Sequence, residues 1–189
     1  MAVEFELKYS CAAESLQLLR ADLPGQERQY AMSTTYYDTP TGDLSAKFYT
    51  LRRRQENDTS VCTLKIPAAD GARGEFEVEC GAIEGAVPML CKLSGIDLPT
   101  ENLVPVCGAK FTRIAKTFDW NGAVIELALD EGSLTGGGRE IPLCEAELEL
   151  KDGDRAAMET YGAFLSAAYG LTPENRSKFR RALDLAKGE

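Results

Sequence analysis

Charged and apolar residues alternate one for one in segment after segment of this chain, and within most segments the charged residues carry one sign. Val3-Glu4-Phe5-Glu6-Leu7-Lys8-Tyr9 opens the series. A period of two is the signature of a β-strand, whose successive side chains point to opposite faces, so Glu4, Glu6 and Lys8 share one surface. Further along, Arg52 and Arg54 share a face in Thr50 to Gln55, as do Thr63 and Lys65 in Val61 to Ile66. Glu75, Glu77 and Glu79 alternate with Phe76 and Val78. Glu126 and Asp130 flank Ala128 opposite Ile125, Leu127 and Leu129, and Glu145, Glu147 and Glu149 oppose Cys144, Ala146, Leu148 and Leu150. An ordinary antiparallel sheet turns such a face to water. Rows of like charge destabilise a sheet unless something compensates, and an interior lined by acidic and basic strands together would do so.

The expected fold class is therefore α+β: an eight-stranded antiparallel β-barrel whose charged interior forms a tunnel, with helices packed on its apolar outside. At 189 residues the chain suits one domain, 1–189. Leu16, Leu19 and Leu23 predict a helix over Ala12 to Leu23, stopped by Pro24-Gly25. Met32 to Tyr37 reads as a strand, followed by turns through Asp43. Short helices are expected at 86–95, opening near Pro88, and at 101–109. Asn121-Gly122 marks a hairpin, and Gly136-Gly137-Gly138 a turn; no Gly-Lys-Ser/Thr follows it, so it is no P-loop. Asp154 to Tyr169 predicts a helix closed by Gly170, and a last helix from about Glu174 carries Lys178 and Arg181. Arg181 reads equally as a solvated charge or a phosphate contact, and Arg53, on the face opposite Arg52 and Arg54, as exposed.

The net charge of -9 and pI near 4.7 argue against nucleic acid as a partner. No apolar run is long enough for a bilayer, and Met1-Ala2 leads into a charged strand, so no membrane partner and a cytoplasmic location are expected. The oligomeric state is left open, a homodimer included. Six cysteines at 11, 62, 80, 91, 107 and 144 form no Cys-x-x-Cys pair and read as free thiols. Histidine is absent, which removes Ser-His-Asp and Cys-His catalysis and His-containing zinc sites. Carboxylate oxygens without imidazole suit hard cations, Mg²⁺ or Mn²⁺. Charges of both signs on one interior, costly to bury alone, suit a polyanion with divalent cations. Lys8, Arg52, Arg54, Lys65, Arg113 and Lys178 are candidates to cradle phosphates, and Glu4, Glu6, Asp130, Glu145, Glu147 and Glu149 to hold metal, with Glu75 and Glu126 as further ligands or supporting acceptors.

Glu4-x-Glu6-x-Lys8 resembles the signature of the CYTH superfamily, the triphosphate tunnel metalloenzymes. The resemblance continues in order through Tyr36-Tyr37-Asp38-Thr39-Pro40, Leu51-Arg52-x-Arg54, Thr63-Leu64-Lys65, Arg73-x-Glu75, Phe111-x-Arg113, Glu126-x-Ala128-x-Asp130-x-Gly132, Cys144-Glu145-x-Glu147-x-Glu149 and Ser177-Lys178. Its last acidic blocks look most like the bacterial inorganic triphosphatase branch. Where many members carry Lys-x-Lys, Lys65-Ile66-Pro67 keeps only the first lysine. The resemblance implies an eight-stranded tunnel and metal-dependent hydrolysis of tripolyphosphate or another triphosphate or polyphosphate. Glu4, Glu6 and Lys8 would then be catalytic, and Arg73 joins the substrate-binding set. Rival readings are a thiamine or nucleoside triphosphatase, a class IV-type adenylyl cyclase, a non-catalytic polyphosphate-binding module, and a plain sheet with solvated charges.

Overall fold

A computed structural model of the protein describes residues 5–68, 73–99 and 102–188, with Arg73 described in its backbone alone. The elements are β1 (Glu6–Ser10), α1 (Ala13–Asp22), β2 (Arg28–Asp38), α2 (Asp43–Ala46), β3 (Thr50–Glu56), β4 (Thr59–Pro67), β5 (Arg73–Glu79), α3 (Ile83–Ser94), β6 (Val104–Trp120), β7 (Ala123–Gly136), β8 (Arg139–Gly153), α4 (Arg155–Tyr169), β9 (Thr172–Pro173) and α5 (Lys178–Lys187). The strands form one sheet in the order β5-β4-β3-β2-β6-β7-β8-β1-β9. Every pairing is antiparallel. The sheet curls so far that side chains of β1 and β5, near its opposite ends, line one cavity. Eight strands were expected to close on themselves; the two-residue β9 adds a ninth, and the hydrogen-bonded ladder of the described residues ends at β5 and β9.

Apolar packing falls into three cores. On the convex face of β6, β7 and β8, Ile114, Ile125, Leu127, Leu129 and Leu148 meet Leu16 and Leu19 of α1 and Met158, Tyr161 and Leu165 of α4. On the convex face of β3, β4 and β5, Leu51, Cys62, Leu64 and Val78 meet Ile83, Ala86, Val87 and Leu90 of α3. Between them the outward residues of β2, Gln29, Ala31 and Ser33, are exposed. The third core is on the concave face, where α5 lays Phe179, Ala182 and Leu183 on Met32, Tyr36, Phe111, Leu134 and Leu143. The three long helices α1, α3 and α4 thus pack outside as the alternation requires, whereas α5 enters the curl.

Several boundaries differ from the sequence expectation for local reasons. The expected helix at 101–109 is strand from Val104, entered after Asn102 in the left-handed region (φ 66°). Pro105 is tolerated there because the ladder to β2 shifts between Tyr36 and Tyr37, the irregularity at which a missing N–H costs least. Pro88 lies inside α3, not at its start. The last helix begins at Lys178 because Ser177 caps it, its Oγ accepting from Arg180 N at 3.1 Å, while Glu174 N donates to Lys8 O at 2.9 Å and keeps that stretch extended beside β1. The Asn121-Gly122 turn (φ 45° and 86°) joins β6 and β7 with the two positive dihedrals that a tight hairpin needs.

The turn-rich segment after β2 conceals α2, held by one buried carboxylate. Asp38, 1% exposed, accepts from Thr39 N and Leu44 N at 2.8 Å through Oδ1 and from Ser45 N at 3.0 Å through Oδ2. Replacing it strands three amide donors. Asp38→Ala should lower unfolding stability by about 3 kcal/mol, read as a shifted urea midpoint; an unchanged midpoint would refute the role.

Candidate functional site

Because side chains alternate along every strand, the concave set is fixed by register. Lys8 stands opposite Glu147, Glu6 opposite Glu149, Asp130 opposite Glu145 and Glu126 opposite Glu149. Arg113 stands opposite Asp130 on one side and Tyr30 on the other. Arg52 pairs with Tyr36 and Thr63, and Lys65 with Thr50 and Glu75. Together these strands enclose a cavity of about 520 Å³, within the range of about 300–1,000 Å³ usual for small-molecule sites. Its lining includes Glu6, Lys8, Arg52, Arg54, Lys65, Glu75, Arg113, Glu126, Glu147, Glu149 and Lys178, eleven of the residues singled out from sequence. Glu4 lies outside the described residues, as does the side chain of Arg73.

At the inner end, three carboxylates converge. One oxygen from each of Asp130, Glu145 and Glu147 falls within 4.8 Å of the others, and Asp130 and Glu145 are fully buried. Burying such a trio requires equal opposing charge. Lys178, the first residue of α5, places its Nζ 2.8 Å from Asp130 Oδ2 and 2.8 Å from Glu147 Oε1, and it also donates to Glu145. Arg113 makes a forked pair with Asp130 (2.7 Å twice) and reaches Glu147 at 2.5 Å. Arg181 takes the other oxygen of Glu145. Three cations thus answer three anions.

Their titration follows from this geometry. Burial opposes the charge on Lys178 and Arg113, but the surrounding carboxylates outweigh it and both hold their protons more tightly than usual. Burial likewise opposes ionisation of Glu147, yet Lys178 and Arg113 keep it well below the ordinary carboxylate range. Glu145 goes the other way, pushed up to about 7 chiefly by burial and by the charge of Glu147.

Nearer the mouth the carboxylates are more open. Glu6 pairs with Lys8 at 3.0 Å, Glu126 with Arg28 at 2.7 Å, and Glu149 with Lys151 at 2.7 Å. On the opposite wall the basic strands have carboxylates among them: Lys65 pairs with Glu75 at 2.8 Å, Arg52 approaches Glu75 at 3.5 Å, and Arg54 pairs with Glu56. Burial raises the pKa of Glu75 but Lys65 beside it brings it below its ordinary value. Arg52 Nε and Arg54 Nε are nonetheless buried without a hydrogen-bond partner among the described residues. Arg181 Nε is enclosed in the same way, so this property is not confined to the basic wall.

The CYTH domain family model matches residues 2–183. This chain belongs to the CYTH domain family. An inorganic triphosphatase of Haemophilus influenzae is 32% identical over 129 residues, which is 65% of this chain and 37% of that protein. This CYTH chain therefore spans little more than a third of that relative's length. Among solved structures, a Hippeastrum protein, a candidate adenylyl cyclase with a dominant triphosphatase activity, superposes with a TM-score of 0.67 at 22% identity, covering 96% of this chain and 95% of its own. A candidate adenylate cyclase of Bacillus halodurans gives 0.67 at 19% identity, covering 95% and 96%. At those identities the likeness is one of fold.

Sequence reasoning left several residues of the site unassigned. Arg181 is neither a solvated charge nor free to meet phosphate: its side chain is 11% exposed and engaged with Glu145. Arg53 is half-buried, donating to Ser60 Oγ at 3.0 Å. Glu56 and Glu77 line the cavity. Glu56 simply extends the Arg52, Arg54 alternation by one step, a signal that was available. Tyr36 faces inward and Tyr37 packs on the outer core, as their adjacency requires.

A carboxyl whose folded-state pKa exceeds its unfolded value binds more protons folded than unfolded between the two. For Glu145, with an ordinary value of 4.5 and a folded value of about 7, that contribution to stability is complete below 4.5 and is lost as pH rises through 7. Glu145→Gln should flatten the fall in unfolding stability between pH 5 and pH 8. A slope equal to that of the wild type would show that Glu145 does not titrate there.

Proposed function

We propose that this CYTH domain hydrolyses inorganic triphosphate to pyrophosphate and phosphate with the help of Mg²⁺ or Mn²⁺. The observation that carries the reading is a single cavity with Arg52, Arg54 and Lys65 on one wall and Glu6, Glu126, Glu147 and Glu149 on the other. A linear polyanion satisfies the donors of the basic wall, and divalent cations between it and the acidic wall neutralise the rest. The family and the sequence likeness to an inorganic triphosphatase support the same substrate class.

The donor set fits a hard cation, being carboxylate oxygen throughout. Asp130 and Glu145 are buried against Lys178 and Arg181, so Glu6, Glu126, Glu147 and Glu149, which line the cavity, are the better ligands, with Glu4 joining them as the family resemblance implies. A bound divalent ion supplies charge neutralisation on the phosphate oxygens and acidifies the attacking water. Arg52, Arg54, Lys65 and Arg113, with Arg73, bind and align the phosphates, Arg through forked hydrogen bonds and Lys as a point charge. Glu75 holds Lys65 and Arg52 extended toward the cavity until substrate arrives. Lys8, opposite Glu147 and paired with Glu6, stands between the acidic wall and the reacting phosphoryl group, where an ammonium favours the charge that develops on the transferred oxygens. As the water oxygen bonds to the terminal phosphorus and gives up its proton to solvent or product phosphate, the bridging P–O bond breaks and its electron pair leaves on the pyrophosphate oxygen, so one P–O bond forms and one breaks.

Turnover of tripolyphosphate should require added Mg²⁺ or Mn²⁺, and Glu6→Gln or Glu147→Gln should lower kcat by about a hundredfold. Phosphate release at the full rate in excess chelator would refute the reading, and parallel assays of thiamine triphosphate and ATP, resolving phosphate, pyrophosphate and cyclic nucleotide, separate it from its rivals. Arg52→Ala, Arg54→Ala and Lys65→Ala should each raise KM by about tenfold, in a salt-dependent manner. Wild-type KM values in all three would remove the basic wall from substrate binding.

A further inference from the structure

The triglycine turn at the end of β7 touches α5, the helix among the described residues that reaches into the cavity. A Cβ on Gly136 would lie 2.3 Å from Ala182 O, 2.8 Å from Ala186 N and 3.0 Å from Ala186 Cβ. Those first two atoms are a helical i and i+4 pair, so the end of β7 lies flush against the backbone of α5. A Cβ on Gly137 would lie 2.7 Å from Ala186 O. Gly138, equally left-handed at φ 74°, has nothing within 4 Å of that position. The close approach, and not the turn alone, is what Gly136 provides, since its own φ is not in the left-handed region.

The contact is aligned with the chemistry. Lys178, Ala182 and Ala186 recur every fourth residue and form one stripe along α5. The stripe that rests on Gly136 and Gly137 therefore presents Lys178 to Asp130, Glu145 and Glu147. Gly136 and Asp130 are also on the same concave face of β7. Strand and helix thus meet at the glycines, through Leu134 in the concave core, and at the carboxylates. Phe179 on Tyr36, with ring centroids 5.0 Å apart, fixes rotation about the helix axis.

We propose that Gly136, with Gly137, is the seat of α5 and acts as a positioning residue for Lys178; this rests on the triphosphatase reading for its catalytic consequence. Ordinary contact begins near 3.4 Å, so a methyl group at 136 drives the helix back by about 1 Å. Lys178 lines the cavity and neutralises its inner carboxylates, and displacement of that size at such a group is enough to cost up to about a hundredfold in rate.

The test is a double-mutant cycle on the full chain with tripolyphosphate. Gly136→Ala should reduce kcat/KM by at least about tenfold, in whichever of kcat and KM Lys178→Ala changes, and should add little in the Lys178→Ala background. Ala186→Leu, which presses on the same contact from the helix side, should behave alike and serves if Gly136→Ala does not fold. Gly138→Ala, strained in the same turn but touching nothing, should keep the kinetic constants of the wild type. Losses that multiply in the double variant, or an equal loss from Gly138→Ala, would overturn the proposal. Amide hydrogen exchange supplies a readout without turnover: Gly136→Ala or Ala186→Leu should raise exchange in residues 178–187 and leave α4 unchanged. If the wild type does not turn over tripolyphosphate, the triphosphatase reading fails on its own, and unaltered exchange in α5 would then overturn the seat.

Discussion

Three carboxylates enclosed at the inner end of a curled sheet govern the rest of this molecule. An unpaired buried charge costs several kcal/mol even after relaxation, so Asp130, Glu145 and Glu147 can share a face only if cations reach them. Arg113 arrives from the neighbouring strand, where register alone puts it opposite Asp130. Lys178 and Arg181 have to be delivered from elsewhere in the chain, and α5 does this by turning its first two turns toward the trio. The helix is thereby drawn to the concave face, where it must bury an apolar stripe of its own. That stripe explains why the inward residues of the strands change along their length from Met32, Phe111, Leu134 and Leu143 to charge.

Much of this was legible in the sequence because strand periodicity is geometric. Once Glu145, Glu147 and Glu149 are on a strand they must share a face, and the apolar residues between them say which face meets the helices. The same rule placed Arg52 with Arg54, and Tyr36 apart from Tyr37. The capping chemistry of α4 was also readable, with Asp154 accepting from Ala156 N at 2.9 Å and Gly170 ending the helix.

What could not be read was decided by contacts between segments distant in sequence. Nothing local in Lys178 to Lys187 tells whether its apolar side meets the outside of a sheet or its inside. Arg181 looks like any helical surface arginine until Glu145, 36 residues away, is known to face it. Residues 101–109 have a composition compatible with a short helix, and pairing to β2 overrides it, since a long central strand satisfies more backbone groups than one helical turn. The open edge at β5 and the two-residue β9 likewise depend on how far the curl proceeds, which no segment encodes by itself.

Between the two convex cores, β2 is uncovered on its outer side over its first half, while Tyr37 near its end packs on the core of β3, β4 and β5. Gln29, Ala31 and Ser33 are exposed there, and neither core has an apolar residue spanning to the other. The leaf that carries Arg52, Arg54 and Lys65 is therefore stiffened by its own helix, the leaf that carries the carboxylates by two others, and they are joined along β2, whose first half is uncovered. Apolar packing on the convex side reaches β2 only at its Tyr37 end among the described residues. The spacing of the two charged walls is thus set by the β2 ladders, by Tyr37 at one end of that strand and by the concave contacts of α5, with no apolar layer behind its first half.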